Sequence, residues 1–76
     1  MSEQEAYNKV KQEANNILSG IGLHWDDPAD SVSIWDWVDE DMSEKLIKNT
    51  AKDVVWDKLT NDGMPNSLAT NICYGE

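Results

Sequence analysis

The sequence predicts an all-α protein, a small bundle of three to four helices. Three observations predict it: apolar residues recur at three- and four-residue steps, helix-capping residues precede these segments, and glycine or proline follows them. The 76 residues are 39% hydrophobic and 28% charged, which suits a single helical domain over residues 1–76. This length lies near the lower limit, roughly 70–80 residues, at which one core suffices without disulfides or metals.

The first predicted helix runs from Ser2 to about Ser19. Ser2 and Glu5 match a capping box, in which side chains satisfy the free N–H groups at the start of a helix. Gly20 and Gly22 end this helix in the prediction, since glycine accepts the left-handed conformation of a helix C-cap. One stripe of the helix carries the apolar side chains, which are Tyr7, Val10, Ala14, Ile17 and Ile21.

A second helix is predicted after the short link 23–25, beginning either at Asp26-Asp27-Pro28 or at Ser31. Aspartate is a good N-cap, and proline fits the first helical turn. A strand is the alternative, because several apolar residues here are β-branched, but the acid density and the three- and four-residue spacing favour a helix. The expected apolar face comprises Ile34, Trp35, Val38 and Met42.

Two more helices are predicted in the second half of the chain. Ser43 is expected to cap a helix that runs to about Thr60, with Gly63 and Pro65 preventing its continuation. Its broad apolar face comprises Leu46, Ile47, Thr50, Ala51, Val54 and Leu59. A short fourth helix is expected in 66–76, through Leu68, Ala69, Ile72 and Cys73. Short loops predict that neighbouring helices pack antiparallel or at a steep angle.

The acidic residues are concentrated in one quarter of the chain. Fifteen Asp and Glu stand against six Lys and no Arg, which gives a net charge of −9. Eight of the acids lie in residues 26–44 with no lysine among them: Asp26, Asp27, Asp30, Asp36, Asp39, Glu40, Asp41 and Glu44. Like charges at helical neighbour spacing destabilise a helix by roughly 0.2–0.5 kcal/mol per pair. We interpret the run as a surface for a basic partner, and an ordinary solvated acidic helix is the alternative.

Helical spacing of these acids suggests imitation of a nucleic acid. Carboxylates three or four residues apart on a helix lie roughly 5–6 Å apart at Cβ, a scale comparable to phosphate spacing along a strand. A row of such groups fits a groove that accepts phosphates. The same negative charge argues against direct nucleic-acid binding and against an anionic membrane surface.

The four tryptophans divide into two groups. Trp35 fits the apolar stripe of the second helix and is expected in the core, with Trp25 at the core edge. Trp37 and Trp56 fall away from the main stripes of their helices. They either fill a second buried face or act as exposed anchors in an interface, where tryptophan is the most enriched residue. Trp37 lies inside the acid run and is therefore the candidate anchor.

The sequence offers no constellation for catalysis or for a cofactor. His24 is the only histidine, and Cys73 is the only cysteine, so neither a zinc site nor an internal disulfide is expected. The run from Asp39 resembles a calcium loop superficially, but its sixth residue is Glu44 and its twelfth is Thr50, which excludes an EF-hand. We expect a protein that is not an enzyme and binds no cofactor. Without a signal-like or membrane-spanning segment, we expect a cytoplasmic protein.

In size, acid run and predicted helicity, the chain resembles the small acidic helical proteins that bacteriophages encode to disable host enzymes, including DNA mimics and anti-CRISPR proteins. The resemblance implies an inhibitor of a nucleic-acid-binding host or defence protein, and it transfers no site residues. The expected partner-binding residues are Asp26, Asp27, Asp30, Asp36, Trp37, Asp39, Glu40, Asp41 and Glu44. The rival hypothesis is an assembly protein that forms a homodimer or larger oligomer through its Trp-rich helix faces.

Overall fold

The computed structural model describes residues 2–25 and 33–75. In these ranges the chain forms three α-helices, α1 (Glu3–Ser19), α2 (Glu44–Asn61) and α3 (Asn66–Tyr74), and one 3₁₀ turn, Ile34–Asp36. No strand occurs among the described residues. The prediction of an all-α fold is confirmed. Within the described part of the chain, no helix combines the length and apolarity needed to cross a membrane.

Helix α1 begins and ends as its capping residues predict. The Ser2 hydroxyl accepts a hydrogen bond from the Glu5 N–H at 3.2 Å, which satisfies a donor in the first turn. At the other end, the Leu23 N–H donates to the Leu18 carbonyl at 2.9 Å. Gly22 makes this return possible because its φ of 77° lies in the left-handed region. Gly20 stays right-handed, with φ of −64°.

The prediction of a second α-helix is wrong for residues 33–43, and its expected starts lie outside the described residues. Only the 3₁₀ turn Ile34–Asp36 forms here, followed by irregular turns. The crowded acids explain the difference, since aspartate is a poor residue for helix interiors and its side chain competes for backbone donors. The Asp39 carboxylate accepts a hydrogen bond from the Asp41 N–H at 3.4 Å, an arrangement that belongs to a turn.

Helix α2 follows its predicted boundaries, and α3 folds back along it. The Ser43 hydroxyl accepts from the Leu46 N–H at 3.2 Å at the start of α2. After α2 ends, Gly63 has φ of 103°, a left-handed conformation that lets the chain reverse. Trp56 of α2 contacts Thr70 of α3, and Asp53, earlier in α2, contacts Tyr74, later in α3. The two helices are therefore antiparallel, as short loops predict.

Two leucines that the sequence assigns to apolar faces are exposed instead. Leu46 is 47% exposed and Leu68 is 48% exposed. Each lies one residue before a buried position, Ile47 and Ala69 respectively. The helix faces that meet the core are therefore narrower than the apolar pattern predicts.

One core joins the three helices and the segment before α2. Its buried apolar members are Ala6, Tyr7, Val10, Ala14, Leu18, Trp25, Ile34, Met42, Ile47, Ala51, Val54, Val55, Leu59, Ala69 and Cys73. Trp25 is the largest fully buried side chain, at 1% exposed, and is deeper than the core-edge position that the sequence predicts. The backbone N–H of Trp25 donates to the side-chain oxygen of Asn15, and the Lys58 amine lies 5.0 Å from the Trp25 ring centroid. Trp25 thus ties the end of α1 to the end of α2.

We expect Trp25→Ala to destabilise the protein by about 3–5 kcal/mol, because it leaves a large cavity in the core. Trp37→Ala is the matched control, since Trp37 is 38% exposed, and should cost less than about 1 kcal/mol. Urea unfolding followed by far-UV circular dichroism measures both. Equal losses for the two variants would contradict the burial difference between the two rings.

The C-terminal end of α3 generates an alkaline pH dependence. Burial raises the pKa of the Cys73 thiol above 9.0, with the Asp53 carboxylate as a second cause. Burial also raises the pKa of the Tyr74 phenol above 10.0, and the hydrogen bond that this phenol donates to Asp53 raises it further. Both groups keep their protons in the folded protein at a pH where the unfolded chain loses them.

We therefore expect the free energy of unfolding to fall as pH rises above about 9, because the unfolded state then binds fewer protons than the folded state. Below the unfolded-state pKa values this contribution is fully present. The double variant Cys73→Ala/Tyr74→Phe should show a shallower decline than the wild type. Urea unfolding at a series of alkaline pH values measures the slope, and identical slopes for both proteins would refute the assignment.

Candidate functional site

The candidate site is the segment 33–44 that leads into α2, which we name the acidic loop. All five of its acidic side chains are exposed: Asp36, Asp39, Glu40, Asp41 and Glu44. The three other acids of the expected binding set, Asp26, Asp27 and Asp30, lie outside the described residues. The structure thus brings five of the eight carboxylates into one surface segment.

Buried apolar residues hold the acidic loop against the helices. Ile34 is 1% exposed and Met42 is 4% exposed, so both ends of the loop are fixed in the core. Val38, midway between them, is partly buried and packs on the same core. The acids fall between these contacts and remain in solvent. The loop is irregular in secondary structure but anchored along its length.

The carboxylates of the acidic loop are not neutralised by lysines. Among the described residues, the ion pair within 4.0 Å is the one between Lys58 and Asp62, at 3.8 Å. None of the five carboxylates of the loop has such a partner there. Their charges therefore add to one negative field at the surface, which is screened over about 8 Å at physiological ionic strength.

Two tryptophans of the acidic loop are half-exposed. Trp35 is 42% exposed, so the prediction that it lies in the core is wrong. Its ring stacks on Tyr7 of α1 instead, with centroids 4.2 Å apart and planes 16° from parallel. Trp37, the candidate anchor, is 38% exposed. Because the loop is not an α-helix, the spacing that placed Trp35 on a buried stripe does not apply.

Trp56 is partly buried and connects two helices. Its ring is partly buried against the core, and its indole N–H donates to the Thr70 hydroxyl at 3.0 Å. This contact joins α2 to α3. Of the two tryptophans that fall away from the helical stripes, only Trp37 is exposed enough to meet a partner.

The geometry of the loop does not support the helical spacing of carboxylates from which the sequence predicted imitation of a nucleic acid. A regular row of carboxylates requires an α-helix, and residues 33–43 do not form one. Phosphate-like spacing at helical intervals is therefore absent from this part of the acidic run. What the structure offers is a high density of unpaired negative charge next to aromatic rings.

A second charged surface lies beside the first and was not singled out from the sequence. Four lysines, Lys9, Lys45, Lys48 and Lys52, border two adjoining concavities, which we name the lysine groove. The larger concavity is about 400 Å³ and lies along the first half of α2. The smaller, about 180 Å³, lies between α1 and α2. The three- and four-residue steps between the α2 lysines were the available signal, but interleaved acids made the region resemble an ordinary solvated surface.

Within the described ranges, no group of three or more His, Cys, Asp or Glu side chains is arranged to hold a metal ion. Comparisons of the chain with protein-family models, with curated proteins and with solved structures find no match. The two charged surfaces are therefore the features from which we infer a function.

The negative field of the acidic loop has a spectroscopic consequence. We expect the ratio of the Stern–Volmer constant for Cs⁺ to that for iodide to be about twofold higher than the same ratio for free N-acetyltryptophanamide, because carboxylates enrich cations and repel anions around Trp35 and Trp37. Asp36→Asn/Glu40→Gln/Asp41→Asn should remove most of this preference.

A control variant separates the local field from the net charge of the protein. Glu3→Gln/Asp57→Asn/Asp62→Asn removes the same three charges outside the acidic loop and should keep the preference for Cs⁺. Stern–Volmer plots for each protein at constant ionic strength provide the measurement. If both variants lose the preference equally, the field is not local to the loop.

Proposed function

We propose that the protein acts by binding, and that it inhibits a basic nucleic-acid-handling partner through the acidic loop. One observation carries the proposal: five exposed carboxylates, with no lysine partner among the described residues, share a twelve-residue segment with two half-exposed tryptophans. Such a surface is costly for a protein that needs only solubility, because the acids repel one another. A basic partner relieves this repulsion.

The chemistry of the loop suits lysine and arginine on the partner. Carboxylates accept charge-assisted hydrogen bonds from guanidinium and ammonium groups. A half-exposed tryptophan adds a cation–π contact, which strengthens as the interface excludes water. Trp37 is the anchor in this proposal, with Asp36, Asp39 and Glu40 around it. The field of the acids would also accelerate encounter with a positive surface.

Inhibition follows if the partner's basic surface is the one that holds nucleic acid. A protein and a nucleic acid then compete for the same positive groups. The irregular loop imitates the charge density of a phosphate backbone and not its regular spacing. This favours a partner that reads charge along a channel over one that reads base edges.

An assembly protein that uses its tryptophans is the second candidate function. Trp35, Trp37 and Leu46 are exposed apolar side chains near the start of α2, and they favour it. An apolar interface of this kind persists at high salt, whereas binding through the acidic loop weakens as salt rises. The response to salt therefore distinguishes the two functions.

The proposal is tested by capture on the immobilised protein from a bacterial lysate. We expect basic nucleic-acid-binding proteins to be retained at low salt and to be released both by high salt and by a double-stranded DNA competitor. The variant Asp36→Asn/Glu40→Gln/Asp41→Asn should lose about tenfold or more in retention, since each lost charged hydrogen bond is worth roughly 1.5–3 kcal/mol.

The matched variant Glu3→Gln/Asp57→Asn/Asp62→Asn should retain the same proteins as the wild type. Mass spectrometry of the released fractions identifies and quantifies them. Retention that survives neutralisation of the loop, or that a DNA competitor leaves unchanged, would count against inhibition through this surface. Far-UV circular dichroism confirms that each variant keeps its helices.

A further inference from the structure

The lysine groove exists because α3 is too short to cover α2. At 1.5 Å per residue, the nine residues of α3 span half the length of the eighteen-residue α2. The bonds from Trp56 to Thr70 and from Tyr74 to Asp53 place α3 on the second half of α2. Toward the start of α2, α3 does not cover the same face of the helix. The larger concavity of the groove is lined there by Glu44, Lys45, Lys48, Asn49 and Lys52.

In residues 2–25 and 33–75, no carboxylate forms an ion pair with the amines of the groove. None of the four lysines that border it has a carboxylate within 4.0 Å in the described chain, whereas Lys58 pairs with Asp62. Lys48 and Lys52 are four residues apart on α2, where like charges repel each other. With Glu13 and Glu44 also in the lining, the groove keeps an excess of two positive charges in a protein of net charge −9.

The groove and the acidic loop are complementary and adjacent. Glu44 ends the acidic loop and also lines the groove. On α1, Tyr7 stacks on Trp35 of the loop and Lys9 lines the groove, but two residues apart on a helix they lie on different sides of α1. Glu44 is therefore the residue that joins the two surfaces. Within the part of the chain that the structure describes, carboxylates and amines without an ion-pair partner therefore meet at Glu44, and no ion pair within 4.0 Å joins the two sets.

We propose that the lysine groove receives the acidic loop of a second copy of this chain, forming a reciprocal dimer. When two complementary surfaces lie side by side, a two-fold axis between the copies brings each loop onto the partner's groove. Each dimer then contains the same contact twice, and the contact closes without forming a filament. Repulsion between the two net charges opposes the dimer, but it is screened beyond about 8 Å at physiological ionic strength, whereas ion pairs in contact are not.

Dimerisation would regulate the proposed function. This regulatory consequence rests on the proposed function, whereas the dimer does not. A loop seated in the groove of a second copy is not free to bind another basic surface. The partner would then compete with the dimer, and the active form would be the monomer. The dimer itself depends only on the two surfaces of this chain.

Charge reversal tests the dimer by analytical ultracentrifugation at about 0.1 M salt, where the Debye length is about 10 Å. We expect the wild type to show a concentration-dependent dimer. The groove-reversed variant Lys45→Glu/Lys48→Glu/Lys52→Glu and the loop-reversed variant Asp36→Lys/Glu40→Lys/Asp41→Lys should each be monomeric. Asp39 is left in place because its carboxylate accepts the Asp41 N–H.

Mixing the two variants gives the decisive result. In the mixture, one contact pairs the native loop with the native groove, and the other pairs the reversed loop with the reversed groove. We therefore expect a one-to-one heterodimer to form, although neither variant associates alone. A wild type that stays monomeric, or a mixture that does not associate, overturns the proposal.

Net charge is controlled by neutral substitutions. Lys45→Gln/Lys48→Gln/Lys52→Gln and the control Asn16→Asp/Asn61→Asp/Asn71→Asp each make the protein more negative by three charges. Only the first should abolish the dimer, and equal loss in both would show that overall repulsion decides association. A dimer that survives both reversals would be held by the tryptophans instead.

Failure of the dimer is distinguishable from failure of the proposed function. The groove-reversed variant keeps the acidic loop intact, so it should retain basic proteins from a lysate at least as well as the wild type. Loss of the dimer with retained capture supports both inferences, whereas a dimer without any capture supports only the self-association.

Discussion

Burial of Ile34 and Met42 is the constraint on which the presentation of the acidic loop depends. Each side chain is almost fully buried, and burying one such group stabilises the fold by roughly 1.5–3 kcal/mol. Repulsion between neighbouring carboxylates costs roughly 0.2–0.5 kcal/mol per pair. Two anchors therefore outweigh several repulsive pairs, and the chain can hold four of the five acids in solvent outside any α-helix, with no lysine within 4.0 Å among the described residues.

The helix predictions succeed at α1, α2 and α3 but not at residues 33–43, because local capping and turn residues determine the first three and not the last. Caps such as Ser2 and Ser43, and the left-handed Gly22 and Gly63, act over a few residues, so their effect is legible in sequence. Apolar spacing in the acidic loop is also helical, and it identifies Ile34, Val38 and Met42 as contacts with the core but places Trp35 there wrongly. Whether the backbone between these residues is helical depends on the helix propensity of the intervening residues and on the repulsion between their acidic side chains. The spacing of apolar residues carries no information about either.

The candidate site was only partly predictable for a related reason. Exposure of the acids follows from their charge. The helical stripe that separated Trp37 from Trp35 does not form, and both rings are half-exposed. The exposure of Trp35 and the full burial of Trp25 depend on tertiary contacts, with Tyr7 and with Lys58. The lysine groove depends on the length of α3 relative to α2, and thus on how two helices pack rather than on any motif.

Charge in this molecule is therefore organised by packing and not by sequence proximity alone. Lys58 lies in the core contact with Trp25 and pairs with Asp62. In residues 2–25 and 33–75, the lysines of the first half of α2, which α3 does not cover, have no carboxylate within 4.0 Å. The acids of the loop stay unpaired because Ile34 and Met42 hold the loop where it is. Among the described residues, the two charge sets have opposite signs and no ion pair within 4.0 Å joins them. This is the basis on which we propose binding, both to a basic partner and to a second copy of the chain.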